Sequence, residues 1–355
     1  MLFFYRCSDY KRNSLHLCSM RSVSIKDIAQ EVGVSTTTVS FVLNGKAKEK
    51  RISDELKDRI IQTAERLNYR PNQVARGLRT GQTHTLGLIV EDIANPFFAH
   101  LARFVEDEAD KSGYKVMFCS TENNDEKAIS LLYLLRHRQM DGFIIIPTSG
   151  IRKEIESLVN DKKPVVLVDR YFPGLDTSYV AVDNFKGSFE GVNLLIRKGY
   201  KKIGLITLES DQVQMTERVR GYTEALAEQN EKVDETCILK IPYDLTHDQT
   251  VKAVVGFLAA KPQINALFFT TNYIGVAGLE AIRLLKKKIP EEIAVICFDD
   301  NDLFRLGSPS ISVIAQPIRE IGQKAVAIII DMIRSKSREP QHFILKPAVV
   351  ERESV

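Results

Sequence analysis

The sequence predicts an α/β protein with a small helical head and a large two-lobed body of parallel, doubly wound sheets. Three observations predict it. Residues 24–68 carry apolar positions at helical spacing between capping residues, and from Thr85 onward short apolar runs alternate with helical stretches. The charge also changes sign between these regions. Met20 to Thr80 holds twelve Lys and Arg against seven Asp and Glu, and residues 1–19 add a further excess of two, so a chain of net charge +3 leaves its body at −4. A basic head on a mildly acidic body points to a polyanion for the head and a different partner for the body.

In the head, Ser24 and Asp27 form a capping-box pair before a stripe of Ile25, Ile28, Ala29 and Val32, and Gly33 ends that helix. Ser35 caps a second helix, Thr36 to Leu43, which stops at Asn44-Gly45; Ser53 caps a third, with Leu56, Ile60, Ala64 and Leu67 at helical spacing. Pro71 then opens another short helix at its first turn. The spacing of Ala29, Gly33 and Val39 is a helix-turn-helix signature: the small residue lets two helices cross, the glycine permits a left-handed turn, and the branched residue packs back on the first helix. The second helix turns Ser35, Thr36, Thr37, Ser40 and Phe41 outward. Short hydroxyls suit phosphate contacts and close approach to base edges, so double-stranded DNA is the expected partner. The plainer role, capping and solvating a helix start, applies in part to Ser35.

The body contains ten apolar runs, among them TLGLIV (85–90), GFIIIP (142–147), PVVLVD (164–169), NALFFT (265–270) and IAVICFD (293–299). Continuous rather than alternating hydrophobicity marks strands buried on both faces, hence parallel sheets flanked by helices. Ten strands are too many for one compact open sheet. Two lobes are expected, parting near Asp183, with a ligand in the cleft at the carboxyl ends of the strands.

Several function classes are excluded. No apolar run reaches the roughly 18–20 residues that span a bilayer, and Met1 to Tyr5 is too short and wrongly flanked for a signal peptide. Cys7, Cys18, Cys119, Cys237 and Cys297 show no C-x-x-C spacing and are read as free thiols in a reducing cytoplasm. There is no glycine-rich dinucleotide loop after a strand, no P-loop, no nucleophile elbow and no H-E-x-x-H, and the six histidines are scattered. No enzyme, metal site or cofactor is expected. Met20 is a second possible start, and residues 1–19 are read as an upstream extension or a disordered arm, with a DNA-touching basic arm as the alternative.

Three stretches together, SIKDIAQEVGVSTTTVSFVLNG, YRPNQVARGLRTGQTHTLGLIVEDIANPFF and IPEEIAVICFDD, resemble the LacI/GalR family of bacterial repressors. The resemblance runs from Met20 to Val355. It implies a helix-turn-helix domain over 20–68, a hinge helix and linker over 69–82, and a periplasmic-binding-protein-like effector-binding and dimerisation domain over 83–355. The first lobe would comprise about 83–181 and 317–340, the second about 182–312 and 341–355. It implies a homodimeric repressor on a near-palindromic operator, located in the cytoplasm at the nucleoid and switched by a small, sugar-like effector. The absence of leucine heptads after Val350 favours a dimer over a tetramer.

The resemblance also implies residue roles. DNA contacts fall to Ser24, Ser35, Thr36, Thr37, Thr38, Ser40, Phe41, Asn44 and Tyr69, and to Asn72, Ala75, Arg76 and Leu78 in the hinge. Leu78 matches the leucine that wedges into a minor-groove step at the operator centre. Gly77 beside it, and the shortness of Pro71–Leu78, make that helix marginal alone; the alternative is a plain linker. Phe41 stands where several relatives carry a polar or basic residue, and is expected to press on a thymine methyl in each half-site. Effector contacts fall to Asp92, Asn95, Phe97 and Phe98 at the cleft mouth, Asp169 and Arg170 at a strand end, Arg218 one turn before Gly221, and Asn272, Asp299 and Gln316. Tyr273 departs from the family's usual aspartate. Asp183 and Asn184 are cleft residues or hold the crossover, and are placed at the crossover. The competing classes are a soluble sugar-binding receptor of the periplasmic type and an α/β enzyme with a DNA-binding head.

Overall fold

The computed structural model describes residues 23–70, 81–229, 234–335 and 338–355, and it divides between Arg79 and Thr80 into two compact units. The first holds α1 (Ile25–Val32), α2 (Thr36–Leu43) and α3 (Asp54–Arg66). Each helix starts where the sequence places a cap. The Ser24 backbone N–H donates to the Asp27 carboxylate at 2.7 Å, Ser35 Oγ accepts the Thr38 N–H at 3.1 Å, and Ser53 Oγ accepts the Leu56 N–H at 3.3 Å. Gly33 sits at φ 75° with open space around its Cβ position, so the left-handed backbone, not crowding, calls for glycine. Ile28, Ala29, Val39, Val42, Ile60 and Ala64 close the core, and Arg59 Nη2 donates to the Val32 carbonyl at 3.3 Å, tying α3 to the end of α1.

The second unit runs β1 (Thr85–Val90), α4 (Pro96–Lys111), β2 (Lys115–Ser120), α5 (Asp125–His137), β3 (Gly142–Ile145), α6 (Arg152–Asn160), β4 (Val165–Val168) and β5 (Ser178–Val182). It continues with α7 (Asn184–Arg197), β6 (Ile203–Leu208), α8 (Val213–Ala227), β7 (Ile238–Ile241), α9 (His247–Ala260), β8 (Ala266–Phe269) and α10 (Asn272–Leu284). Then follow β9 (Ala294–Phe298), α11 (Asp302–Leu306), β10 (Ser312–Ala315), α12 (Ile318–Ser335), β11 (His342–Leu345) and β12 (Ala348–Val350). One sheet has the order β11-β5-β4-β3-β1-β2 and the other β12-β10-β9-β8-β6-β7; every pairing is parallel except β12 with β10. All ten apolar runs become strands; eight are largely buried as their continuous hydrophobicity requires, while β2 and β7, each at a sheet edge, stay mostly half-exposed or exposed. On β1, Leu86, Leu88 and Val90 join the core under α4 and α12, whereas Ile89 joins the core under α5 and α6 on the opposite face.

One lobe boundary needs correction. Residues 341–355 do not all belong to the second lobe: His342–Leu345 pairs in parallel with β5 in the first sheet, in register from His342↔Tyr179 to Leu345↔Val182. The His342 ring stacks on Tyr179 at 4.3 Å. The four-residue run HFIL is a half-exposed edge strand, too short and too polar at its first position to read as a buried one. The chain therefore passes between lobes three times, at 182–184, 315–318 and 345–348.

After β12 the chain is sewn into the second sheet. Ser354 is fully buried; its hydroxyl donates to the Val295 carbonyl at 2.6 Å and accepts the Ser312 N–H at 2.7 Å. Arg352 grips the Asp300 carboxylate with two nitrogens, at 2.9 and 2.6 Å. In the same lobe α7 and α8 cross very closely at Gly221. A Cβ there would stand 2.4 Å from the Phe185 carbonyl oxygen.

Candidate functional site

In the head, α2 presents two kinds of hydroxyl. Ser35 and Thr38 are spent on each other, Oγ to Oγ1 at 2.9 Å, besides the cap bond. Asn44 Nδ2 donates to the Ser40 carbonyl at 2.6 Å and to its hydroxyl at 3.3 Å, and Ser24 donates its hydroxyl to Asp27 at 2.7 Å. Thr36 and Thr37 are exposed and form no side-chain hydrogen bond among the described residues. Phe41 is half-buried, with the Lys50 ammonium 5.4 Å from its ring centre, which sets a positive charge beside the apolar ring. Tyr69 packs on the helical core, and burial pushes its phenol up. Asn72, Ala75, Arg76 and Leu78, with the hinge helix and residues 1–19, lie outside the described residues.

In the body, strand ends and helix starts bring buried polar groups together at the cleft. Asp169 follows β4 and Asp299 follows β9, at φ 67° and 72°. A left-handed conformation costs a residue with a Cβ about 1–2 kcal/mol, and aspartate is among the few residues that adopt it. Both lobes thus bend the chain at matching strand ends to turn a carboxylate inward. Arg170 is buried and ion-paired with Glu91 and with Asp169 at 3.2 Å, and donates from Nη1 to Gln212 Oε1 at 2.8 Å. Burial alone would lower its guanidinium pKa; the paired carboxylates of Glu91 and Asp169 hold it above the ordinary value.

Arg218 lies under the second lobe's wall. Its Nε donates to Asn184 Oδ1 at 2.8 Å, its Nη1 to the Thr270 carbonyl at 2.6 Å, and its guanidinium lies 3.6 Å over the Phe298 ring. Burial pulls its pKa down, against Asp299 and Asp169. The close crossing at Gly221, one helical turn on, sets α8 against α7 and so sets Arg218 against Asn184, the first residue of α7. Burial raises the Asp299 carboxyl, opposed by Arg218 and by Gln316, whose Nε2 donates to it at 2.6 Å. Asp183 caps α7, accepting the Lys186 N–H at 2.9 Å. Asp183 therefore serves the crossover, while Asn184 serves Arg218.

The lobes clasp across the cleft. Asn95 and Asn272 exchange amide hydrogen bonds at 2.9 and 3.3 Å, Tyr243 Oη donates to Glu91 at 3.1 Å, and Gln212 bridges Arg170 to Asn123. Two spaces meet at Asn95 and Asn272, and a third of about 130 Å³ lies beyond Arg170 and Gln212, touching Tyr171, Phe172 and Asp211. An inner chamber of about 30 Å³ touches Arg170, Arg218, Asp299 and Gln316; an outer one of about 670 Å³ touches Asp92, His100, Tyr243 and Tyr273. Glu91, Asn95, Asn272 and Tyr273 line both.

Phe97 and Phe98 do not stand at the mouth. Both are buried in the first lobe's core, edge to face at 5.0 Å, and reach only the inner chamber. They begin α4 behind Pro96 and the Asn95 cap, which turns them beneath the sheet. The mouth aromatics are instead Tyr243 and Tyr273, each more than one-third exposed, with burial and the Glu91 carboxylate raising both phenols. Sequence reasoning missed Glu91, Gln212 and Tyr243. The strand-end rule that pointed to Asp169 and Arg170 applies equally to Glu91 after β1 and to Tyr243 after β7; Gln212 carries no comparable signal.

The head and body define a class: a helix-turn-helix unit joined to a two-lobed body with a ligand-sized cleft. Residues 24–72 match the bacterial regulatory proteins of the lacI family, and residues 192–355 match a periplasmic binding protein-like domain. The chain is 31% identical over 342 residues to the HTH-type transcriptional regulator RegA of Clostridium saccharobutylicum, covering 94% of this chain and 99% of that one. It is 32% identical over 335 residues to the HTH-type transcriptional repressor PurR of Aliivibrio fischeri (strain MJ11), covering 94% and 98%. Its fold matches the transcriptional regulator CelR-cellobiose complex with a TM-score of 0.71 at 26% identity, covering 94% of this chain and all of that one. The chain belongs to the LacI family of DNA-binding transcriptional regulators.

Proposed function

We propose that the protein is a repressor that binds a near-palindromic operator as a homodimer and is switched by a small sugar-like effector held between its lobes. The observation that carries this reading is the clasp: charged and amide groups from the strand ends of both lobes meet around a cleft, where a polyhydroxylated ligand can exchange hydrogen bonds with them. A relative bound to cellobiose supports the sugar class, and one named as a repressor supports the sign of regulation. The operator is read by Thr36 and Thr37, with Phe41 pressing on a thymine methyl in each half-site and Leu78 of the hinge wedging the duplex open at its centre. The effector acts by changing how tightly the lobes close. The coupling is reciprocal, so an effector that loosens operator binding binds less tightly to the operator complex. The protein works as a regulator rather than a catalyst, in the cytoplasm and on the nucleoid.

Selection of bound fragments from genomic DNA, followed by gel shifts of the selected site with a saccharide panel, tests the reading. We expect retention of a two-fold-related site and a change in its affinity with one saccharide class. Failure to retain any fragment at low salt, with folded protein present, refutes it. Leu78→Ala should reduce bending of the selected site while leaving saccharide affinity unchanged; unaltered bending makes residues 71–78 a linker only.

A further inference from the structure

The two chambers differ in what they can admit. About 30 Å³ holds one or two waters, far short of a sugar ring, because Arg170 with its partners Glu91, Asp169 and Gln212 occupies the inner space. About 670 Å³ lies well inside the ~300–1,000 Å³ typical of small-molecule sites, and it opens onto two phenol rings more than one-third exposed, Tyr243 and Tyr273. Such rings offer an apolar platform to the C–H face of a pyranose.

The charges select as well. Glu91, Asp92 and Asp302 line the outer chamber together with His100 and His247, whose ring nitrogen meets Glu280 at 2.8 Å, and no lysine or arginine does among the described residues. Asp302 is paired with Arg305 at 2.8 Å. Inside, both guanidiniums are committed, Arg170 to two carboxylates and Arg218 to Asn184, the Thr270 carbonyl and the Phe298 face. Among the described residues, an incoming anion would meet several carboxylates and no lysine or arginine that is not already committed.

We propose that the outer chamber is the principal saccharide site, with Tyr243 and Tyr273 as its platform, and that the effector is an uncharged oligosaccharide of two or more rings. This rests on the cleft being the effector site. The walls shared by the chambers, Glu91, Asn95, Asn272 and Tyr273, let the inner end of such a ligand meet the clasp while its other rings lie on the tyrosines. The inner residues then sense the ligand's end rather than enclose a whole ring.

The test is isothermal titration calorimetry on the full chain with cellobiose, maltose, lactose and trehalose, with glucose, and with glucose 6-phosphate. At least one disaccharide should bind about tenfold or more tighter than glucose, the worth of an aromatic platform of roughly 1.4 kcal/mol. Glucose 6-phosphate should bind no tighter than glucose. Tyr273→Ala should bring the disaccharide to the affinity of glucose, and Tyr273→Phe should restore it. Glucose or its phosphate binding as tightly as every disaccharide, or Tyr273→Ala leaving the preference intact, overturns the proposal while the sugar reading stands. Folded protein that binds no saccharide of the panel, yet releases its operator with another class of metabolite, overturns both.

Discussion

Arg170→Met is the most direct probe of how the cleft is held. The substitution keeps an apolar stem of similar reach and removes a guanidinium whose partners, Glu91 and Asp169, are as buried as it is, all three below 8% exposure. Removing one member of a buried ionic group leaves an uncompensated charge and costs about 3–5 kcal/mol. Gln212, half-exposed, can rehydrate and adds little. At roughly 2 °C per kcal/mol for a domain of this size, Tm should fall by about 6–10 °C. The assay is thermal unfolding by far-ultraviolet circular dichroism, since the sequence has no tryptophan to report by fluorescence. Adding Glu91→Gln to Arg170→Met should recover part of the loss, and the four-protein cycle gives the coupling directly. A fall of less than about 2 °C for Arg170→Met, under 1 kcal/mol on the same scale, would refute the reasoning. The carboxylates would then be hydrated in solution, and the inner chamber open rather than plugged.

Three further outcomes are expected. Gly221→Ala forces a Cβ to within 2.4 Å of the Phe185 carbonyl oxygen, so α7 and α8 must part at about 1–3 kcal/mol; thermal unfolding should show the loss, and ligand titration should show a weakened effector response because Arg218 leaves Asn184. Asp299→Asn should gain stability relative to the parent as pH rises. The Asp299 carboxyl is raised by burial, so the folded state holds its proton longer than the unfolded chain; that contribution is present below pH 3.8 and is lost as pH rises through the folded-state value. Unfolding at stepped pH from about 4 to about 7 checks the trend, and a constant difference would contradict it. Thr37→Ala should weaken the selected operator by about 1 kcal/mol, roughly fivefold, without altering the head's stability, whereas Ser35→Ala should destabilise the head by about 1 kcal/mol through its lost cap; urea unfolding of the two variants separates the roles.

Much of this molecule was legible from residue patterns because burial and backbone geometry dictate them locally. Parallel strands must be apolar on both faces, so runs such as PVVLVD announced themselves, and the left-handed turn at Gly33 marked the head. The aspartates after β4 and β9 followed from the same rule, since strand ends face the cleft. The errors arose where a side chain's destination depends on distant partners. Phe97 and Phe98 are carried beneath the sheet by the start of α4, which only the packing of α12 over them makes clear. Tyr273 reads in the sequence as a mere loss of a hydrogen-bonding acid; its meaning depends on Tyr243 from the same lobe and Glu91 from the other, which share a chamber wall with it. β11 was hidden because an edge strand need not be apolar on both faces.

The order in which the strands are made has its own consequence. β11 and β12 flank β5 and β10, yet they follow them by some 160 and 33 residues, the separations of His342 from Tyr179 and of Ala348 from Ala315. As the chain leaves the ribosome, β5 and β10 therefore wait as the outermost strands on one side of their sheets, presenting unpaired N–H and C=O groups until residues 342–350 emerge to pair with them. Each lobe's last seam closes within the same short stretch, 342–354, where Ser354 and Arg352 fasten the second sheet. Changes in those thirteen residues should act mainly on yield and aggregation during synthesis, and little on the finished cleft or the operator-reading face.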